Sequence, residues 1–293
     1  MKIFNGSRRR LGIQLLFAAL FNGYAVGFAK GQIFTGASKG ICVPVLNCYS
    51  CPGALGACPL GAMQAVAGGY KHNFSFYAVG SVMLFGVLLG RLICGFLCPF
   101  GLVQDLLQRL PVPKIRVPKG IDGALRYLKY VVLVVFVLAM PVFVTNAFGL
   151  GAPAFCKWIC PAGTLGGALP LLSTNASLRA TVGALFGWKL GVLVAIVILS
   201  TLIQRPFCKY LCPLGAIYGL CNRVSFYQQR VDHTVCVGCG ACERACPMQI
   251  DVRRAPNSAE CIRCGACRDA CRAHAISAGV DIRLLAREAA AEK

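Results

Sequence analysis

One pattern, Cys-x-x-x-Cys-Pro-x-Gly, recurs along the chain and limits what it can fold into. It is complete as Cys94, Cys98, Pro99 and Gly101, as Cys156, Cys160, Pro161 and Gly163, and as Cys208, Cys212, Pro213 and Gly215. An incomplete copy ends at Cys58, Pro59 and Gly61, with Cys48 and Cys51 ahead of it. Cysteines four apart share one face of a helix. The residue before a proline is pushed out of helical geometry, whereas proline itself suits the first position of a helix. The pattern therefore predicts a break at the second cysteine and a fresh helix directly behind it. The free N–H groups and positive dipole end of that helix would face the thiolates, which suits an anionic metal cluster. The glycine allows close backbone approach.

Each copy follows a long apolar run. Residues 11–29, 74–97, 128–144 and 182–203 approach or exceed the roughly 20 residues that span a bilayer. The chain is 57% hydrophobic and 14% charged, where a soluble domain carries about 25% charged residues. The expected fold is an all-α membrane bundle of four transmembrane helices with Cys-x-x-x-Cys-Pro caps and short or re-entrant helices, followed by a small α+β ferredoxin domain. Residues 1–225 form the bundle, 226–280 the ferredoxin-like domain and 281–293 a solvated helical tail. Residues 11–29 are long for the apolar part of a signal peptide and are read as a retained span. Pro141 is expected to kink the end of the third span.

The basic residues set an orientation. Lys2, Arg8, Arg9 and Arg10 precede the first span, and Arg109, Lys114, Arg116, Lys119, Arg126 and Lys129 crowd residues 104–129. The stretches 30–71 and 150–179 are sparsely charged. A multi-pass protein of the cytoplasmic (inner) membrane with both termini in the cytoplasm is expected. Cys94, Cys98, Cys208 and Cys212 would then gather near the cytoplasmic face. The Cys48–Cys58 group, Cys156 and Cys160 would gather near the other.

The last third of the chain carries a second cysteine pattern. Cys236, Cys239, Cys242 and Cys246-Pro247 follow the bacterial ferredoxin run C-x2-C-x2-C-x3-C-P, and Cys261, Cys264, Cys267 and Cys271 repeat it with Arg272 in place of proline. In such tandem runs the fourth cysteine serves the other cluster. One 4Fe-4S cluster is expected on Cys236, Cys239, Cys242 and Cys271, the second on Cys261, Cys264, Cys267 and Cys246. Paired zinc sites are the competing reading, and they rarely use two interleaved runs of four.

A cubane needs four ligands and a kernel supplies two. Cys94, Cys98, Cys208 and Cys212 make one full set. Cys156 and Cys160 need two more, and alignment on Cys-Pro-x-Gly selects Cys58. Cys51 is the preferred fourth ligand, with Cys48 the alternative. Outer-face cysteines paired as disulfides or serving as small packing residues are the other readings. Cys42 and Cys221 fit no pattern and are read as structural.

A net charge of +20 invites a nucleic-acid reading, yet no recognition motif accompanies it, and no nucleic-acid partner is expected. The cations serve membrane orientation and compensation of anionic clusters instead. No C-x-x-C-H occurs, which excludes covalent c-type haem, and the three histidines, His72, His233 and His274, lie outside the cores of the spans, so no haem is expected. Tyr24, Asn22, His72, Asn73, Gln104 and Asp105 lie near predicted membrane boundaries, where a quinone is a further candidate ligand. Such boundary groups are more often interfacial anchors.

The kernels at Cys94/Cys98-Pro99, Cys156/Cys160-Pro161 and Cys208/Cys212-Pro213, joined to the twin ferredoxin runs, resemble the NapH/NosR-type membrane polyferredoxins over nearly the whole chain. The chain carries one complete kernel more than the two associated with the nitrate-reductase subunit. The resemblance implies a four-span ferredoxin-type subunit linked to quinol oxidation and periplasmic reductases. The expected function is electron transfer between cytoplasmic ferredoxin clusters, membrane-embedded clusters and a periplasmic partner or the quinone pool. A quinol dehydrogenase subunit and a redox or metal assembly factor for a periplasmic enzyme are the alternatives. Expected partners are membrane lipid, a cytoplasmic donor and a periplasmic reductase or cytochrome. No residue is expected to be catalytic in itself.

Overall fold

The computed structural model describes residues 3–69, 75–145 and 151–280. His72, Asn73 and the tail at 281–293 lie outside the described residues. Among the described residues the chain is mostly helical, with one two-stranded sheet.

Helix α1, Ile3–Phe21, leads into a break at residues 22–24 and a short second helix, Ala25–Lys30. The expected first span is therefore interrupted. The next apolar helix, Tyr77–Leu89, stops at Gly90, whose φ of 55° lies in the left-handed region that glycine enters freely; helix Leu92–Phe96 follows. The single span expected at 74–97 is thus two pieces, the longer about 20 Å long at 1.5 Å per residue. Lys119–Phe143 and Ala184–Leu202 are long and apolar enough to cross a membrane. The first of these begins well inside the stretch expected to be a basic loop. Near its end the helix widens into π-type turns over Leu133–Ala139 ahead of Pro141.

The ferredoxin region holds strands Tyr227–Val231 and Ile276–Val280, antiparallel with Tyr227 opposite Val280 and Val231 opposite Ile276. Between them lie the short helices Ala241–Arg244 and Ala266–Ala270, each preceded by a left-handed glycine. Cys242, Met248, Ile250, Val252, Cys261, Ile262, Cys267 and Ile276 form its own core.

This region is docked onto the helical part. Asn222 Nδ2 donates to the carbonyls of Ser258 at 2.7 Å and Cys261 at 2.9 Å, and Arg263 Nη1 donates to the Leu89 carbonyl at 2.9 Å. Arg126 Nη2 donates to the Met248 carbonyl at 3.0 Å. The carbonyl of Ile262 comes so close to Gly95 that a Cβ there would lie 2.4 Å from it. A larger residue at 95 would push the two parts apart.

Candidate metal centres

Each kernel closes in the same way. Cys58, Cys98, Cys160 and Cys212 are N-cap residues with extended backbone, and each is followed by a proline that opens a helix. The expected break and restart is what the chain adopts. At Cys212 the thiol accepts the Gly215 N–H at 3.4 Å. The turn between the paired cysteines is wider than an α-turn. Cys98, Cys160 and Cys212 donate their N–H to the carbonyls of Ile93, Phe155 and Phe207, five residues back. Proline cannot supply the next backbone donor, so the chain ends each turn on this wide bond.

Sixteen of the nineteen cysteines gather into four cavities. Cys236, Cys239, Cys242 and Cys271 line one, of about 540 Å³. Cys246, Cys261, Cys264 and Cys267 line a second. Cys94, Cys98, Cys208 and Cys212 line a third, together with Pro44, Val45 and Leu46. Cys48, Cys58, Cys156 and Cys160 line the fourth, about 650 Å³ in volume. The structure brings together the cysteines of the two interleaved ferredoxin runs, and Cys94 and Cys98 with Cys208 and Cys212.

The fourth cavity departs from the sequence expectation. Cys51 is not in its lining; Cys48 is. The loop turns tightly here, with the Cys51 N–H bonded to the Cys48 carbonyl at 3.0 Å. That turn carries the Cys51 thiol away, where it donates to Asn22 Oδ1 at 3.5 Å. Cys42 and Cys221 are buried outside all four cavities.

The two kernel-built sites are neighbours. Leu46 lines both, and Cys58 and Cys160 of one site share a continuous apolar core with all four cysteines of the other and with Leu60, Phe100, Phe155 and Phe207. The loop before Cys58 makes this possible. It folds inward, held by the Tyr218 hydroxyl donating to the Pro44 carbonyl at 2.9 Å.

Two glutamines repeat one contact. Gln64 and Gln104 each lie six residues after the second cysteine of their copy. Gln64 Nε2 donates to Cys156 Sγ at 3.2 Å and Gln104 Nε2 to Cys208 Sγ at 3.0 Å. Each thus reaches the first cysteine of the kernel that completes its quartet. Gln104 was one of the candidate quinone contacts, and Asp105 was another. Asp105 instead takes Arg205 Nη2 at 2.6 Å and Arg10 Nη2 at 2.9 Å. Burial pushes its carboxyl up, but these two guanidiniums hold it below the ordinary carboxylate value. Tyr24 packs on Phe34, ring centroids 5.2 Å apart, and Asn22 Nδ2 donates to the Ala18 carbonyl at 3.0 Å.

Buried cations lie beside the Cys94, Cys98, Cys208 and Cys212 quartet. Arg91 pairs with Glu260 at 2.8 Å, and Lys129 bonds the same carboxylate. Burial raises the Glu260 carboxyl, and the two cations more than offset it, leaving it below its usual value. Nothing in the kernel spacing marked Arg91 as part of the site, although Arg91 and Arg205 both stand three residues before a kernel's first cysteine.

Four thiols lining each cavity are a donor set suited to iron–sulfur clusters, which take four cysteine thiolates. Among the described residues no three His, Cys, Asp or Glu side chains come close enough to share a single metal ion.

Comparison with known proteins agrees with this chemistry. A family model described as a 4Fe-4S binding domain matches three times, at residues 74–118, 131–175 and 185–230, each match holding one complete kernel. A 4Fe-4S dicluster domain model matches residues 228–272. An uncharacterized protein of Methanocaldococcus jannaschii is 32% identical over 58% of this chain and 64% of its own length. The ferredoxin-type protein NapH of Haemophilus influenzae is 28% identical over 60% of this chain and 53% of its own. The regulatory protein NosR of Pseudomonas aeruginosa is 27% identical over 56% of this chain and 21% of its own. The chain spans less than two thirds of the length of each of these relatives. No solved structure matches it significantly. With modest identity but matching cluster-binding domains, the chain belongs to the NapH/NosR-type polyferredoxin family.

Proposed function

We propose that the chain is an integral membrane protein whose four cysteine quartets each hold a 4Fe-4S cluster and form one electron path. The carrying observation is that the four cavities lie in series. Leu46 lines both kernel-built sites. Gly95, next to Cys94, abuts Ile262, next to Cys261. The Cys236, Cys239, Cys242 and Cys271 site shares a core with the Cys246, Cys261, Cys264 and Cys267 site, through Cys242 beside Cys261 and Cys267, and its Cys239 is exposed.

Cys48, Cys58, Cys156 and Cys160 would hold the outer cluster and Cys94, Cys98, Cys208 and Cys212 the inner one. Cys246, Cys261, Cys264 and Cys267 would hold the third, and Cys236, Cys239, Cys242 and Cys271 the fourth. Bound there, each would supply one-electron redox chemistry. The chain's own side chains do the rest. Val45, Leu46, Ile93 and Leu214 line the inner site and keep it dry. The exposed Cys239 loop, with Arg244, Arg253 and Arg272 in the cavity lining, serves a cytoplasmic partner. The outer site serves a periplasmic partner or the quinone pool.

The membrane part of this reading rests on the two long apolar helices. Only 22% of the apolar window in Lys119–Phe143 and 17% of that in Ala184–Leu202 is buried inside the protein. Exposed apolar faces of that extent favour lipid over water. Helix α1 and the Tyr77–Phe96 pair complete four spans, with both termini in the cytoplasm of an inner-membrane protein.

The test is electron passage across liposomes holding the anaerobically prepared full chain. A reductant that cannot cross the bilayer is added outside, and a dye acceptor is sealed inside. The dye is reduced with the wild-type chain and not with Cys212→Ser. Equal dye reduction by both, or none by an iron-replete wild type, contradicts the proposal.

A further inference from the structure

Two arginines cross between the kernels of the inner quartet. The side chains of Arg91 and Arg205 are fully buried. Each reaches the kernel that the other precedes. Arg91 Nη2 donates to the Cys208 carbonyl at 2.8 Å, and Arg205 Nη1 donates to the Cys94 carbonyl at 2.6 Å. Each also lies over the other kernel's glycine. A Cβ on Gly215 would stand 3.2 Å from Arg91 Nη2, and one on Gly101 would stand 3.4 Å from Arg205 Nη1. The glycine of the kernel is therefore the seat of a guanidinium at this site. Arg205 holds this place with φ of 48°, a left-handed conformation that costs any L residue energy.

The electrostatics of the two crossings are matched. Each guanidinium has one carboxylate on the side away from the kernel. Arg205 takes Asp105 through Nε at 2.8 Å and Nη2 at 2.6 Å. Arg91 takes Glu260 at 2.8 Å, and its Nε has no partner among the described residues. The outer quartet is built differently: Pro153 stands three residues before Cys156, and the charged side chain in that cavity's lining is Lys189.

Reduction adds a negative charge to an already anionic centre. A fixed cation nearby in a dry interior favours the reduced form, and a fixed anion opposes it. We propose that Arg91 and Arg205 are positioning residues that raise the reduction potential of the inner cluster, and that Glu260 and Asp105 restrain it. Because Glu260 belongs to the ferredoxin region, docking of that region enters the potential of the neighbouring membrane site. The proposal rests on the cluster assignment made above.

The test is a redox titration followed by electron paramagnetic resonance on the iron-loaded full chain. It reads the signal that Cys212→Ser removes. Arg91→Gln and Arg205→Gln each shift that signal's midpoint to lower potential, and Glu260→Gln and Asp105→Asn each shift it higher. The signal lost in Cys58→Ser stays in place in the Arg205 and Asp105 variants. Opposite signs are the diagnostic feature, since loosening of the fold alone would not sort arginines from carboxylates. If an arginine variant cannot retain iron, the carboxylate variants decide, because both guanidiniums remain. Unmoved midpoints at full iron content, or four shifts of one sign, overturn the proposal. Absence of the Cys212-dependent signal from an iron-analysed wild type would refute the cluster assignment beneath it, a result distinct from unmoved midpoints.

Discussion

The quartet at Cys94, Cys98, Cys208 and Cys212 and the quartet at Cys48, Cys58, Cys156 and Cys160 share much of their construction. Both have thiols at proline-started helices, and both have a glutamine donating to the first cysteine of the later kernel. They differ in what closes them. The inner site takes two complete kernels and two crossing arginines, one of them paired with Glu260 of the ferredoxin region. The outer site takes one complete kernel and a loop, and its cavity of about 650 Å³ is much roomier. The kernel therefore dictates the helix break and the thiol placement, while sealing and local charge come from residues outside it.

The largest expected effect separates the two sites outright. Cys212→Ser should remove the inner cluster and stop passage across liposomes while leaving both ferredoxin clusters; loss of every cluster would mean that the substitution merely unfolds the chain. Next comes the choice of the outer ligand. Cys48→Ser should lose about four irons per chain, one cubane, and Cys51→Ser should lose none. The reverse result in iron analysis would return Cys51 to the site. A third prediction uses the difference in closure. Under oxidising conditions with a hydrophilic chelator, the Cys58-dependent signal should disappear before the Cys212-dependent one, and simultaneous loss would erase the contrast.

Smaller effects address what the two sites share. Leu46→Ala removes the side chain common to both linings and should destabilise the chain by about 2–5 kcal/mol, the range for buried leucine truncation. Denaturant titration at full iron content checks this, and an unchanged midpoint would mean that Leu46 does not pack as described. The smallest effect belongs to the glutamines. Gln64→Ala and Gln104→Ala each remove one hydrogen bond to a thiol sulfur. Their shifts should be similar, on the order of 1 kcal/mol or a few tens of millivolts for a one-electron centre. A shift in one site alone would show that the repeated contact is not equivalent in the two.

Much of this was legible because cysteine and proline act locally. Proline after the second cysteine ends one helix and starts the next, so the break at Cys98, Cys160 and Cys212 could be read from three letters. The ferredoxin quartets followed from spacing alone. The choice between Cys48 and Cys51 did not, because a tight turn sends thiols three residues apart in different directions. The closeness of the two kernel-built sites was hidden for a related reason: hydropathy places residues 30–71 outside the spans and cannot show that Pro44, Val45 and Leu46 fold back into the core. Charge misled in another way. Lys129 and Arg126 looked like loop cations that set orientation, yet they bond Glu260 and the Met248 carbonyl. Arg126 has one local partner, Asp122 four residues before it, but Glu260 and the Met248 carbonyl lie more than a hundred residues away, where no local pattern announces them.

The central claim is that four quartets hold four clusters in one chain. Iron and acid-labile sulfide counted per chain in the anaerobically purified full-length protein test it most directly. The account predicts about sixteen of each, four per cubane. About eight irons, with the cysteines of the two kernel-built sites recovered as free thiols or disulfides, would contradict it and leave a ferredoxin on a helical anchor.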